Sequence, residues 1–206
     1  MKKNDLLFFD IDTQYDFIMP AGKLYVNGAE EIIPNLELLT KFAIENNIPV
    51  FASADSHPED DPEFEQFPPH CLSGSAGNRK IKETYLPNAV VLSYSGEKRK
   101  INLEDLNGII FTKNTFDVFS NPFVDDLLKE VNPKEIVLYG VATDYCVKAA
   151  AESLLNRGYK LSIVKDAIKA VDPEDGIRTL KKLEERGVKL IKTSEVLEKR
   201  MESLGA

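Results

Sequence analysis

EIVLYGVATDYCVKAAAESLLNRGYKLSIV, residues 135–164, reads as a complete strand–helix–strand unit. Its first six residues, Glu135–Gly140, are a short β-rich apolar run. From Asp144 to Asn156 the apolar residues recur at helical spacing, and Gly158 then stands where a helix commonly needs a left-handed cap. Lys160–Val164 is mostly apolar again. Neither strand alternates cleanly, the pattern expected when helices cover both faces of a sheet.

The same rhythm extends in both directions. Further strands are expected at Leu6–Ile11, Pro49–Ala54, Ala89–Ser93, Ile109–Thr112 and Val188–Ile191, and further helices at Ala29–Asn46, Pro122–Val131, Pro173–Arg186 and Ser194–Ser203. Gly187 repeats the placement of Gly158. The alternation predicts an α/β fold, a three-layer αβα sandwich around a mostly parallel sheet. No repeat, low-complexity tract or Gly/Ser linker divides the chain, so residues 1–206 read as one domain. From Ser56 to Tyr85 the chain is polar, Pro-containing and aperiodic. Connections that long inside a compact domain are usually functional.

Composition narrows the partners. With 206 residues, 43% of them hydrophobic, the chain can bury a core that needs no disulfide or metal for stability. Lys and Arg total 26 against 34 Asp and Glu, a net charge of -8, which speaks against nucleic acid and anionic membranes. No apolar run reaches membrane-spanning length. Two cysteines, Cys71 and Cys146, make no disulfide framework and suit a reducing cytoplasm. The C-terminal helix packs either on its own sheet or on a second copy in a homo-oligomer.

In open parallel sheets, ligands bind beyond the carboxyl ends of the strands. Asp12, Asp55 with His57, Lys113 and Cys146 all fall at such ends. Cys146 follows a strand-to-helix turn in which Thr143 can cap the helix. There the helix dipole and free N–H groups would stabilise a thiolate and hold an oxyanion. Taken alone, Cys146 is more readily a small packed residue and Lys113 more commonly a snorkelling cation, and Asp12 can be a turn cap. Together they have complementary chemistry: a carboxylate to take a thiol proton and an ammonium to balance the charges. The only histidines, His57 and His70, lie in the aperiodic segment, and with Asp55 they form a two-His, one-carboxylate set suited to a divalent metal. Glu59, Glu63, Glu65 or water would complete it.

The ordered motifs resemble the isochorismatase-like superfamily and, within it, the nicotinamidase/pyrazinamidase group. The resemblance runs from about Leu6 to Val164 and rests on Asp12-Thr13-Gln14-Tyr15-Asp16-Phe17, Lys113, Asp55-Ser56-His57-Pro58, Pro68-Pro69-His70-Cys71 and the stretch Gly140–Val147. It implies an isochorismatase-like hydrolase fold with Asp12 as general base, Lys113 as catalytic lysine and Cys146 as nucleophile. It also implies one metal ion, zinc first and iron or manganese as alternatives, on Asp55, His57 and His70 within a loop at about 55–85. A cis peptide at Val141–Ala142 would turn the Ala142 N–H toward the oxyanion. Phe17, Phe67, Ala142 and Tyr145 would bound the substrate. Phe67 stands where relatives often carry Trp. The implied reaction converts nicotinamide, and pyrazinamide, to the acid and ammonia through a thioester. Alternatives are a cysteine hydrolase of the same fold acting on a carbamoyl or ureido compound, an iron oxygenase, or a silent binding module.

Overall fold

In the computed structural model, which describes residues 5–97 and 99–204 with side chains to 198, seven strands form. They are β1 (Leu6–Ile11), β2 (Val50–Asp55), β3 (Ala89–Leu92), β4 (Gly108–Lys113), β5 (Glu135–Val141), β6 (Leu161–Lys169) and β7 (Lys189–Ile191). They lie in the order β3-β4-β2-β1-β5-β6-β7, and every pairing is parallel. The helices are α1 (Tyr15–Ile18), α2 (Ile33–Glu45), α3 (Val124–Val131), α4 (Cys146–Asn156), α5 (Pro173–Glu185) and α6 (Thr193–Leu204).

The continuous apolar runs have the cause expected of them. Alternate residues of β1 enter opposite cores: Leu7, Phe9 and Ile11 pack with residues of α3 and α4, while Phe8 packs with Leu36, Leu39 and Ala43 of α2 and Val196 of α6. The sheet is therefore the middle of three layers, and α6 lies on its own sheet. Gly158 and Gly187 both have positive φ, as a left-handed cap requires. Among the described residues no helix is long and apolar enough to cross a membrane.

Three boundaries differ from expectation. The helix predicted from Ala29 begins as a 3-10 turn over Ala29–Ile32, with α2 proper starting at Ile33. Pro34 explains the break, since proline fits the first turn of a helix but not its interior. Strand β6 runs to Lys169 rather than Val164. A register shift against β5 carries the exposed Lys165, and Asp166 accepts from both the backbone and the hydroxyl of Thr193. Helix α4 starts at Cys146, so Thr143 is not its cap. Instead Thr143 donates its N–H to Lys169, and the Asp144 carboxylate accepts from the Val171 and Asp172 N–H groups.

Because β2 and β5 flank β1 on opposite sides, the chain direction switches at the sheet centre. A ligand crevice belongs at that point, beyond the carboxyl ends.

Candidate active site

The carboxyl ends of three neighbouring strands bring their side chains together beneath that crevice. Asp55 ends β2 and Lys113 ends β4, and the two are partners in register. Asp12 follows β1 with φ 48°, a left-handed conformation uncommon for non-glycine residues though more open to Asp than to most. Cys146 enters from above as the first residue of α4. Asp12, Asp55, Lys113 and Cys146 are all buried.

Lys113 is the hub. Its Nζ lies 2.8 Å from Asp12 Oδ2 and 3.5 Å from Cys146 Sγ, and it donates a hydrogen bond to Asp55 Oδ1. Two buried carboxylates keep this ammonium protonated: burial alone would lower its pKa, but Asp12 and Asp55 raise it well above the usual lysine value. Ser53 Oγ donates to Asp12 Oδ1 at 2.6 Å and accepts from the Asp12 N–H at 3.2 Å. Oδ2, whose charge the ammonium compensates, keeps a lone pair for a further partner. It is free to take a proton.

The resting state of Cys146 differs from the thiolate expected at a helix N-terminus. Burial pushes the thiol well above its ordinary pKa; Lys113 opposes this, but Asp12 and Asp55 add to it. Asp12 is likewise raised, first by burial and then by Asp55, against the pull of Lys113. A protonated sulfur beside a carboxylate needs that carboxylate as its base. The Val141–Ala142 peptide is cis. Among the described residues, neither the Ala142 nor the Cys146 N–H donates to a protein acceptor.

The second cluster shares Asp55. Its Oδ2 lies 3.8 Å from His57 Nε2 and 4.0 Å from His70 Nε2, and the three ligand atoms all fall within 4.8 Å of one another. Each imidazole is oriented from behind. His70 Nδ1 donates to the Pro68 carbonyl at 2.9 Å, and His57 Nδ1 to the Asp61 carboxylate at 3.0 Å. Both Nε2 atoms are thereby directed inward, and that of His57 is buried without a hydrogen-bond partner. This donor set fits a divalent ion, with Asp61 in the supporting role carboxylates take behind metal-bound histidine. Of the three glutamates in question, Glu63 is placed toward the site, its Oε1 3.9 Å from His70 Nε2, whereas Glu59 and Glu65 are exposed.

Both clusters open into one cavity of about 90 Å³. Phe17, Phe67, Ala142 and Tyr145 all line it, as do Asp55, His70 and Cys146. Phe67 packs edge-on against Phe116 and Tyr145 at its mouth. Leu24, Tyr25 and Val26, from the segment after α1, line it too. Sequence reasoning missed that segment and Phe116, which carry no motif, and gave no role to Ser53, Asp61 or Gln14. Gln14 did stand within a quoted motif. Its side-chain amide exchanges two hydrogen bonds with the Asp55 backbone, at 2.7 and 2.8 Å, and so fixes the residue common to both clusters.

Comparison with known proteins places the chain by family and fold. Residues 7–195 match the family model of the isochorismatase domain. An uncharacterized isochorismatase family protein, PncA, of Bacillus subtilis is 30% identical over 171 residues, spanning 80% of this chain and 86% of that protein. The nicotinamidase of Escherichia coli is 25% identical over 208 residues, spanning 87% and 91% respectively. Among solved structures, the pyrazinamidase of Pyrococcus horikoshii in complex with zinc matches with a TM-score of 0.76 at 26% identity, covering 92% of this chain and 99% of that one.

Proposed function

The chain belongs to the isochorismatase domain family, and from that premise we propose that it is an amidohydrolase converting nicotinamide, and pyrazinamide, to the acid and ammonia. One observation carries this reading: a buried ammonium touches both a carboxylate and a thiol, and that thiol lines a cavity.

Asp12 takes the Cys146 proton as the sulfur attacks the amide carbon, and Lys113 balances the charge that moves between them. The N–H groups of Ala142 and Cys146 hold the oxyanion. Asp12 then returns the proton to the departing ammonia, leaving a thioester. Water attacks that carbonyl while Asp12 accepts its proton, and the acid leaves as Cys146 regains its hydrogen. Phe17 and Phe67 bear on the substrate ring. Asp55, His57 and His70 would hold one divalent ion, zinc first and iron or manganese as alternatives, which when bound would supply a Lewis-acid site for a ring nitrogen. We place the reaction in the cytoplasm, where Cys71 and Cys146 stay reduced and where pyridine-nucleotide salvage would use the acid.

The deciding experiment is ammonia release by zinc-replete protein from nicotinamide, pyrazinamide and a carbamoyl compound in parallel. Faster turnover of the two heteroaromatic amides is expected. A preference for the carbamoyl compound would move the enzyme to another branch of the fold, and no release from any of them would sink the reading.

A further inference from the structure

The central strand carries a charge that the reaction scheme leaves idle. Asp10 lies on β1 between Ala52 and Tyr139 in register, with only 1% of its surface exposed. Its counter-ion comes from the long connecting segment: Lys80 Nζ is 3.1 Å from Asp10 Oδ2, and Thr13 Oγ1 donates to the same oxygen at 3.1 Å. A buried ion pair is a poor way to stabilise a fold, because desolvation offsets the attraction and apolar replacements often do as well. Such a pair can, however, fix where one segment sits on another.

Lys80 is placed to do so. Its Nζ also donates to the Ser53 carbonyl at 3.3 Å, and Ser53 is the residue whose hydroxyl holds Asp12. Its backbone pairs with Gln14, the residue that holds Asp55. On either side, the Tyr15 N–H donates to the Arg79 carbonyl and the Ile81 N–H to the Thr13 carbonyl, each at 2.9 Å. One lysine thus touches the supports of both carboxylates that flank Lys113.

We propose that Asp10 and Lys80 are a positioning pair for the hydrolysis: their ion pair seats residues 78–84 on β1 and holds Asp12, through Ser53, within proton-transfer reach of Cys146. The inference rests on the functional reading above. Neither residue lines the cavity, so both act through others.

The test compares wild type with Lys80→Met, Lys80→Arg and the double variant Asp10→Asn/Lys80→Met. Three quantities are read: thermal midpoint, kcat and KM for nicotinamide, and the rate of Cys146 alkylation by iodoacetamide, followed by mass on the Cys146 peptide. Lys80→Met strands a buried carboxylate and loses stability. The double variant regains most of the midpoint, yet kcat stays roughly 10- to 100-fold low with KM little changed, and alkylation is slower. Lys80→Arg, which keeps the charge, recovers part of kcat. A double variant with wild-type kcat and alkylation rate would overturn the proposal, leaving the pair as packing alone. Should wild type release no ammonia, the functional reading fails separately. The alkylation rate then still decides the pair: a slower rate in the folded double variant supports it and an unchanged one overturns it.

Discussion

Cys71 and Cys146 are both buried, both free, and both held as thiols by burial. They differ in what lies beside the sulfur. Cys71 Sγ meets a backbone carbonyl, that of Gly77 at 3.9 Å, and its N–H is tied to Asp16. Cys146 Sγ meets an ammonium at 3.5 Å, lies near the Asp12 carboxylate and borders the cavity. Burial sets the resting protonation of both. Reactivity needs a base, a cation to balance the transferred charge, and room for a substrate, and only one of these cysteines has all three.

Replacing each sulfur breaks the comparison most directly. Cys146→Ala should lower kcat by on the order of 10⁴-fold or more while circular dichroism shows an intact fold. Cys71→Ala should keep turning over. The reverse pattern in an ammonia assay would mean the wrong sulfur has been assigned.

Next in size is the cation. Lys113→Met leaves Asp12 and Asp55 facing each other in the interior, and breaking a buried ion pair this way costs about 3–5 kcal/mol. Denaturant unfolding would read it. A loss below 1 kcal/mol would show that those carboxylates are not both charged in the native protein.

A smaller effect tests the support behind His57. Asp61→Ala should weaken zinc binding by roughly 10- to 100-fold, measured by competition with a chromophoric chelator, without slowing Cys146 alkylation. Unchanged zinc affinity would leave Asp61 as a turn cap only, through its bond from the Glu63 N–H.

The finest distinction is in pH. Both thiols have folded pKa values raised above their unfolded ones, so their contribution to stability is complete at neutral pH. It is lost as pH rises past about 8.5, where the unfolded chain releases protons that the fold retains. Stability should fall by up to about 1.4 kcal/mol per pH unit per thiol, and Cys71→Ala should remove one thiol's share. An alkaline limb identical in wild type and Cys71→Ala would mean that this sulfur titrates in the native protein.

The contrast also shows what sequence could and could not reveal. Strands were legible because continuous apolar runs have one main physical cause, burial on two faces. Asp12, Lys113 and Cys146 stood out because each is a reactive type at the carboxyl end of such a run. Ser53 did not: a small hydroxyl inside β2 looks like any strand residue until Asp12 is seen beside it. Asp61 was hidden among the acidic residues of 59–65, since only the fold of the 3-10 turn Pro62–Glu65 decides which one faces His57. Asp10 and Lys80 are far apart in sequence, and nothing local links them. Extended β6 was missed because Lys165 and Asp166 interrupt its apolar pattern while a register shift absorbs them.

Asp55 gives one oxygen to Lys113 and turns the other toward two imidazoles. A single ammonium therefore serves two enclosed carboxylates, Asp12 and Asp55; burial would lower the pKa of His57, but hydrogen bonds to Asp55 and Asp61, with the negative charge of Asp55 and Glu63, raise it. A divalent ion arriving there competes with protons for the imidazoles, so its uptake should weaken as the medium becomes more acidic. It should also act as a ligand of the native state alone, lifting the melting temperature in proportion to the logarithm of its free concentration.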